Sequence, residues 1–122
     1  MRNQEKLGSI DYKGKRIFLS ISKREGREEI FIDLDTLGMK SITEVSSNLE
    51  NLIDLHGINF LTNELEKIDG LENLKNIKYL NFENNKIKET RGLENLTDLR
   101  ELNFCGNKIE KITGLENLKK LE

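Results

Sequence analysis

The chain repeats one four-residue word, Leu-Glu-Asn-Leu (LENL), at a constant interval. The copies begin at residues 49, 71, 93 and 115, so each copy starts 22 residues after the last. The units 71–92 and 93–114 share 11 of their 22 positions without a gap. A fixed period of this length predicts a stack of similar coils in which each coil packs mainly on its neighbours.

Apolar residues recur at the same places in each unit, in the pattern L-x-x-L-x-x-L-x-L-x-x-N-x-I. The middle of the pattern alternates apolar and variable residues, which predicts a short strand with one buried face. The predicted strands are 57–61, 79–83 and 101–105. Because 22 residues leave room for a crossover connection, successive strands are expected to pair in parallel. The two leucines of each LENL copy are expected to face the core from one side of a helical turn.

An asparagine column follows the predicted strands, at Asn63, Asn85 and Asn107. A buried amide side chain both donates and accepts hydrogen bonds, so it can pair backbone groups that a turn leaves unpaired. Buried amides are usually there to make such bonds. We therefore predict a structural asparagine ladder at this column and not a ligand site.

This repeat pattern resembles the leucine-rich repeat family, over residues 49–122. The 22-residue unit and the phrase I-x-x-I-x-G-L-E-N-L are similar to the subclass of the phosphatase-1 regulatory leucine-rich protein and an axonemal dynein light chain. The resemblance implies an α/β solenoid, a right-handed coil with a parallel sheet on its concave side. It also implies a non-catalytic scaffold that grips a protein partner on the concave face, without a cofactor.

The region before residue 49 departs from the repeat pattern. Two β-rich runs, at 16–22 and 29–34, flank a polar turn at 23–28 and predict a hairpin. The second run is expected to serve as the strand of a degenerate first coil, with the first run at the outer edge of the sheet. A stacked array needs its end shielded, so we predict that the hairpin is an N-terminal cap. The expected organisation is a cap plus degenerate coil over 1–48, and three repeats with a truncated fourth over 49–122.

The outward positions of the predicted strands are the candidate partner-binding residues. Two of the three outward columns vary between coils while the scaffold columns do not, and specificity can reside in such variable positions. Tyr79 is the expected anchor, because tyrosine buries a large area at low entropy cost. A solvated face without a partner is the alternative. The candidate residues are Asn59, Leu61, Tyr79, Asn81, Glu83, Glu101, Asn103 and Cys105.

The fourth LENL copy is not followed by a strand within the sequence. Leu115, Leu118 and Leu121 are therefore expected near an open end of the core, where apolar side chains usually meet a partner. This predicts a homo-oligomer, most simply a homodimer joined end to end. The second functional hypothesis is accordingly a structural unit that assembles through this end.

Charge and composition argue against several classes of function. The net charge of −2 predicts binding to neither nucleic acid nor membrane. A weakly basic column, at His56, Lys78 and Arg100, lacks interleaved aromatic residues, and the glutamates of the LENL words could offset it. A single cysteine, Cys105, cannot form an internal disulfide, which is typical of the reducing cytoplasm.

The sequence offers few groups for catalysis. His56 is the only histidine, and the repeat register places it two coils from Cys105, too far for a nucleophile and base. Asp33 and Asp35, with Glu28 and Glu29 nearby, form an acidic cluster that more often marks a solvated strand end than a metal site. We therefore predict no enzyme activity, no metal and no cofactor.

Overall fold

A computed structural model describes residues 7–52 and 54–122. Residues 1–6 of the predicted N-terminal unit and residue 53 of the first repeat lie outside the described residues. One mixed sheet of six strands runs through the described chain, with the strands in sequence order. Its strands are β1 (Ser9–Tyr12), β2 (Lys15–Arg24), β3 (Arg27–Asp33), β4 (Gly57–Asn59), β5 (Tyr79–Asn81) and β6 (Glu101–Asn103).

The sheet is antiparallel at its N-terminal side and parallel through the repeats. Strands β4, β5 and β6 pair in parallel at a register shift of 22 residues, as in the pairs Gly57↔Tyr79 and Tyr79↔Glu101. The hairpin predicted over 16–34 forms, with β2 antiparallel to β3, and β3 pairs in parallel with β4. The expectation that the first hairpin strand lies at the outer edge is wrong for the start of β2, because β1 pairs there with Lys15–Phe18, whereas Leu19–Arg24 pair with β3 alone. The right-handed winding and the capping role of the hairpin stay predictions.

The side opposite the strands is built mainly from turns, so the helical share of the predicted α/β class is small. A 3₁₀-helix spans Ile42–Glu44 and a short helix, α1, spans Ser46–Glu50. In each LENL copy the second leucine donates its N–H to the carbonyl of the first, at 3.0 Å in Leu96 and Leu93. Gly92, just before that copy, has a φ of 118°, and a Cβ there would lie 2.0 Å from the carbonyl oxygen of Ile68. The glycine therefore allows successive turns to stack closely.

The core is a ladder of matching side chains from successive coils. Phe60, Phe82 and Phe104 stack with ring centroids 5.3 and 5.5 Å apart. Phe60 and Phe82 are fully buried, whereas Phe104 in the last complete coil is only half-buried. Ile112 is 75% exposed. Apolar packing is thus complete in the middle coils and partial at the C-terminal side.

The asparagine column bridges each coil to the coil before it. The Oδ1 atom of Asn85 accepts from the N–H of Leu65, and its Nδ2 donates to the carbonyls of Phe60 and Phe82 at 2.9 and 3.0 Å. Asn107 repeats this set of bonds one coil later, and Asn63 makes the equivalent bonds to the segment after β3. Each amide therefore pairs backbone groups of two coils that the turns leave free.

Candidate functional site

The candidate site is the face of the sheet turned away from the core, called the open face below. A groove of about 490 Å³ lies along it. It brings together five of the predicted partner-binding residues, and Arg24 and Phe31 of the hairpin also line it. The five predicted residues are Asn59, Tyr79, Asn81, Glu101 and Asn103. Leu61, Glu83 and Cys105 follow the strand ends and do not line the groove.

Two aromatic rings meet on the open face across an intervening strand. Phe31 of β3 stacks on Tyr79 of β5, with centroids 5.5 Å apart and an angle of 22° between the ring planes. Gly57 of β4 lies between them, and a Cβ there would come within 2.4 Å of the Phe31 ring. The missing side chain lets the ring lie flat over β4 and reach β5. A glycine inside a strand often marks such a close approach.

The hydroxyl of Tyr79 donates a hydrogen bond to the buried side chain of Glu29. This glutamate is 3% exposed and accepts from Tyr79 Oη at 2.7 Å and from Lys78 Nζ at 2.8 Å. Burial opposes ionisation of Glu29, but the hydrogen bonds from Lys78 and Tyr79 outweigh it and lower its pKa. Burial and the bond to Glu29 raise the pKa of Tyr79 to about 12. Tyr79 is therefore a neutral, fixed side chain at neutral pH.

Arg24 covers the outer side of the aromatic pair. It is the last residue of β2, and its guanidinium lies 4.4 Å from the Tyr79 ring centroid and 5.4 Å from that of Phe31. Its Nη1 donates to Glu101 Oε2 at 3.2 Å. These distances are within the range of cation–π attraction, so the hairpin tip contacts the third repeat strand through charge and aromatic contacts.

The middle outward column of the open face has fewer free hydrogen-bonding groups for a partner than the sequence suggested. Each of Asn59, Asn81 and Asn103 uses its Oδ1 to accept the N–H of the residue two positions on. Asn59 also donates to Asp33 and Asn103 to Glu83. The column thus stabilises the turns at the strand ends, and its amide oxygens already accept hydrogen bonds.

The acidic residues at the end of β3 make local hydrogen bonds. Asp33 Oδ1 accepts from Asn59 Nδ2 at 3.0 Å and from the N–H of Asp35 at 3.3 Å. Burial and the neighbouring Asp35 raise the pKa of Asp33. Within residues 7–52 and 54–122, no group of three or more His, Cys, Asp or Glu side chains has a geometry that could hold a metal ion.

The side chains of the predicted basic column, His56, Lys78 and Arg100, bond to residues of the hairpin and not to the LENL glutamates. Lys78 pairs with Glu29, and Arg100 lies 3.5 Å from Glu25 at the hairpin tip. His56 accepts the N–H of Ile30 through Nδ1 at 3.0 Å. The column therefore joins the hairpin to successive coils. The LENL glutamate of the first copy, Glu50, instead accepts from Asn73.

The predicted assembly residues differ in exposure. Leu118 is buried, and Leu115 and Leu121 are half-buried. Cys105, one of the predicted partner-binding residues, is exposed. Ile112, which the sequence reasoning did not include, presents far more apolar surface than any of the three leucines. In the part of the chain that the structure describes, no helix has the length and apolar character needed to cross a membrane.

Sequence reasoning also missed Arg24 and Phe31, and it placed Glu29 only in the acidic cluster near Asp33. A signal for Phe31 was present, because Gly57 leaves a gap in an outward column that Tyr79 and Glu101 continue. Arg24 carried no such signal, because its contact with Glu101 joins residues 77 positions apart.

Comparisons with known proteins agree with this architecture. Residues 75–117 match the family described as leucine-rich repeats, in two copies. The solved leucine-rich repeat ectodomain of the receptor kinase SOBIR1 from Arabidopsis thaliana is similar in fold, with a TM-score of 0.56 and 18% identity over 98% of this chain and 70% of that one. No curated protein sequence gives a match. The match to leucine-rich repeats thus covers residues 75–117, and the likeness to the solved ectodomain shows that the fold is shared.

Proposed function

We propose that the protein is a non-catalytic interaction module that binds a protein partner on the open face, the concave side of a right-handed array capped by the β2–β3 hairpin. Leucine-rich repeat domains generally mediate protein–protein interaction and are typically non-enzymatic. The observation that carries the proposal is the fixed aromatic pair in the groove, flanked by charged side chains. Aromatic residues with charged neighbours are the common anchors of protein interfaces.

The side chain of Tyr79 is preorganised for contact with a partner. Its hydroxyl is bonded to Glu29 and its ring rests on Phe31, so little rotamer freedom remains to be lost on binding. The ring is half-buried, which leaves part of its surface to a partner. Glu101 supplies a carboxylate beside it on the neighbouring strand, and Glu83 supplies another just past the end of β5, and these groups discriminate between partners.

The test is affinity capture from the native cell with paired charge-reversal variants. Glu83→Lys with Glu101→Lys changes the open face, and Glu72→Lys with Glu116→Lys makes the same charge change on exposed glutamates of two LENL turns. We expect the first pair to lose the captured protein and the second pair to keep it, with both variants unfolding near the wild-type temperature. Equal capture by both folded variants would reject the open face as the binding surface.

The second candidate function is assembly through the C-terminal side of the core. Its support is the exposed Ile112 beside half-buried Leu115 and Leu121. Replacing Ile112 and Leu121 by lysine should lower the mass measured by sedimentation if copies join there. A wild-type protein that sediments as a monomer at every concentration would exclude homo-oligomer formation.

A further inference from the structure

We propose that the groove contains a guanidinium site which Arg24 of the same chain occupies, and that the protein partner competes for this site with an arginine side chain. The partner in this inference is an arginine-bearing polypeptide segment, and the inference rests on the proposed function. Arg24, one of the residues that line the groove, already places a guanidinium group against Tyr79.

The contacts of Arg24 define the chemistry of the site. The flat guanidinium lies over the Tyr79 ring at 4.4 Å while its edge donates to Glu101 at 3.2 Å. A planar cation with donors at its edge matches an aromatic face beside a carboxylate, and the ammonium group of lysine lacks that planar shape. The site therefore favours arginine over lysine.

Arg24 is held in the site by weak contacts, whereas the Tyr79 ring against which it lies is held firmly. The side chains of Arg24 and Glu101 are 40% and 55% exposed, so their ion pair is weak. Tyr79 is fixed by a hydrogen bond to buried Glu29 and by stacking on Phe31, and Arg24 makes neither of these contacts. The site consequently persists when Arg24 moves out.

The surrounding charge favours a cationic partner. Asp33 and Glu83 belong to the open face near the groove, and neither forms an ion pair with any residue of 7–52 or 54–122. The groove itself is lined by the carboxylates of Glu101 and Glu122 and by one cation, Arg24, while Lys23 and Arg100 lie on its hairpin side. An arginine-bearing segment therefore gains long-range attraction as well as the contact with Tyr79.

The test uses N-acetyl-arginine amide as the probe, with N-acetyl-citrulline amide as its uncharged analogue, followed by NMR shifts of the Tyr79 ring. Removing the internal competitor with Arg24→Ala should tighten probe binding about tenfold, as expected for a cation–π contact with a weak ion pair. Arg24→Gln should act in the same direction. Arg16→Ala, on the same strand and paired with Asp11, should bind the probe like the wild type. Citrulline should not bind measurably.

Equal probe affinity in the wild type and both Arg24 variants would overturn the inference, as would equal binding of the citrulline analogue. Partner capture separates this inference from the proposed function. If Arg24→Ala captures no more partner while Glu83→Lys with Glu101→Lys captures none, the inference fails and the proposed function stands. If the probe binds Arg24→Ala more tightly but the open-face charge variant still captures the partner, the guanidinium site stands and the proposed function fails.

Discussion

The ring of Phe31 in β3 stacks on the ring of Tyr79 in β5, although β4 lies between these strands. The contact passes over Gly57, where any side chain would collide with Phe31. It joins the hairpin to the second repeat strand on the face that carries the candidate site. The shape of the groove therefore depends on a residue that contributes no side chain to it.

Gly57→Ala is expected to destabilise the protein by about 1–3 kcal/mol, the usual cost of forcing extra volume into a packed contact. The new methyl group must displace the Phe31 ring. Urea unfolding measures the effect. In a Phe31→Ala background the same change should cost less than about 0.5 kcal/mol, because nothing remains to collide with it. A similar cost in both backgrounds would show that the Phe31 contact is not the reason for this glycine.

Asn85→Ala is expected to lower the free energy of unfolding by about 1–3 kcal/mol, since it leaves the buried N–H of Leu65 without an acceptor. The carbonyls of Phe60 and Phe82 lose one donor each and keep the amide donors of Asn63 and Asn107. Asn95→Ala is the matched control on an exposed LENL turn and should change stability by less than about 0.5 kcal/mol. Comparable losses at the two positions, measured in urea, would contradict the ladder.

Lys78→Met is expected to cost about 3 kcal/mol, because it leaves the buried Glu29 carboxylate without its cation. Adding Glu29→Gln should recover part of this loss, since the buried charge is then gone. Thermal unfolding of the two single variants and the double variant gives the coupling. Strictly additive losses would mean that the pair does not act as a unit.

Protonation of Glu29 at low pH should lower the free energy of unfolding of the wild-type protein. The pKa of Glu29 is lower in the folded protein than its ordinary value of 4.5, so the folded state holds the proton less tightly than the unfolded state. The stabilisation is complete above pH 4.5 and is lost as the pH falls below that value, toward the lower pKa of the folded state. Glu29→Gln should therefore flatten the dependence of stability on pH in this acid range, measured by urea unfolding. An unchanged slope would contradict the assignment.

Both tyrosines should ionise at a higher pH than an ordinary tyrosine. Burial, with the hydrogen bonds to Glu44 and Glu29, raises the pKa of Tyr12 and Tyr79 to about 12. Because the raised pKa favours the neutral form, this stabilisation is complete below pH 10 and is lost between about pH 10 and 12. Ultraviolet titration of the folded protein should show almost no tyrosinate at pH 10, with Tyr79→Phe halving the later signal. A tyrosine half-ionised near pH 10 in the folded protein would contradict these contacts.

The sequence predicts the repetitive part of the fold well, because a 22-residue period places Phe60, Phe82 and Phe104 in one column. Parallel pairing of β4 to β6 follows from the same period. The strand β1 was missed because Ser9–Tyr12 is short and lies outside the repeat. The single turn at each LENL copy was expected from the spacing of its two leucines, and in each copy the second leucine bonds back to the first.

The candidate site was only partly predictable for a different reason. Repeats fix which side chains face outward, so Tyr79 and Glu101 could be selected from alternation alone. How far the hairpin tip extends over the sheet depends on the lengths of β2 and β3, which no repeat specifies. Arg24, Glu25 and Glu29 therefore reach the coils through contacts that the periodic pattern does not encode.

The single cysteine allows the most direct test of binding on the open face. Cys105 is exposed and follows β6 beside the groove, so it can carry a benzophenone photo-crosslinker. The control is Cys105→Ser with Asn95→Cys, which moves the same label to an exposed LENL turn. After irradiation in an extract of the native cell, we expect a discrete cross-linked protein from the label at position 105 and far less from position 95. Cross-linking of that protein at position 95 with equal or greater yield would contradict binding on the open face.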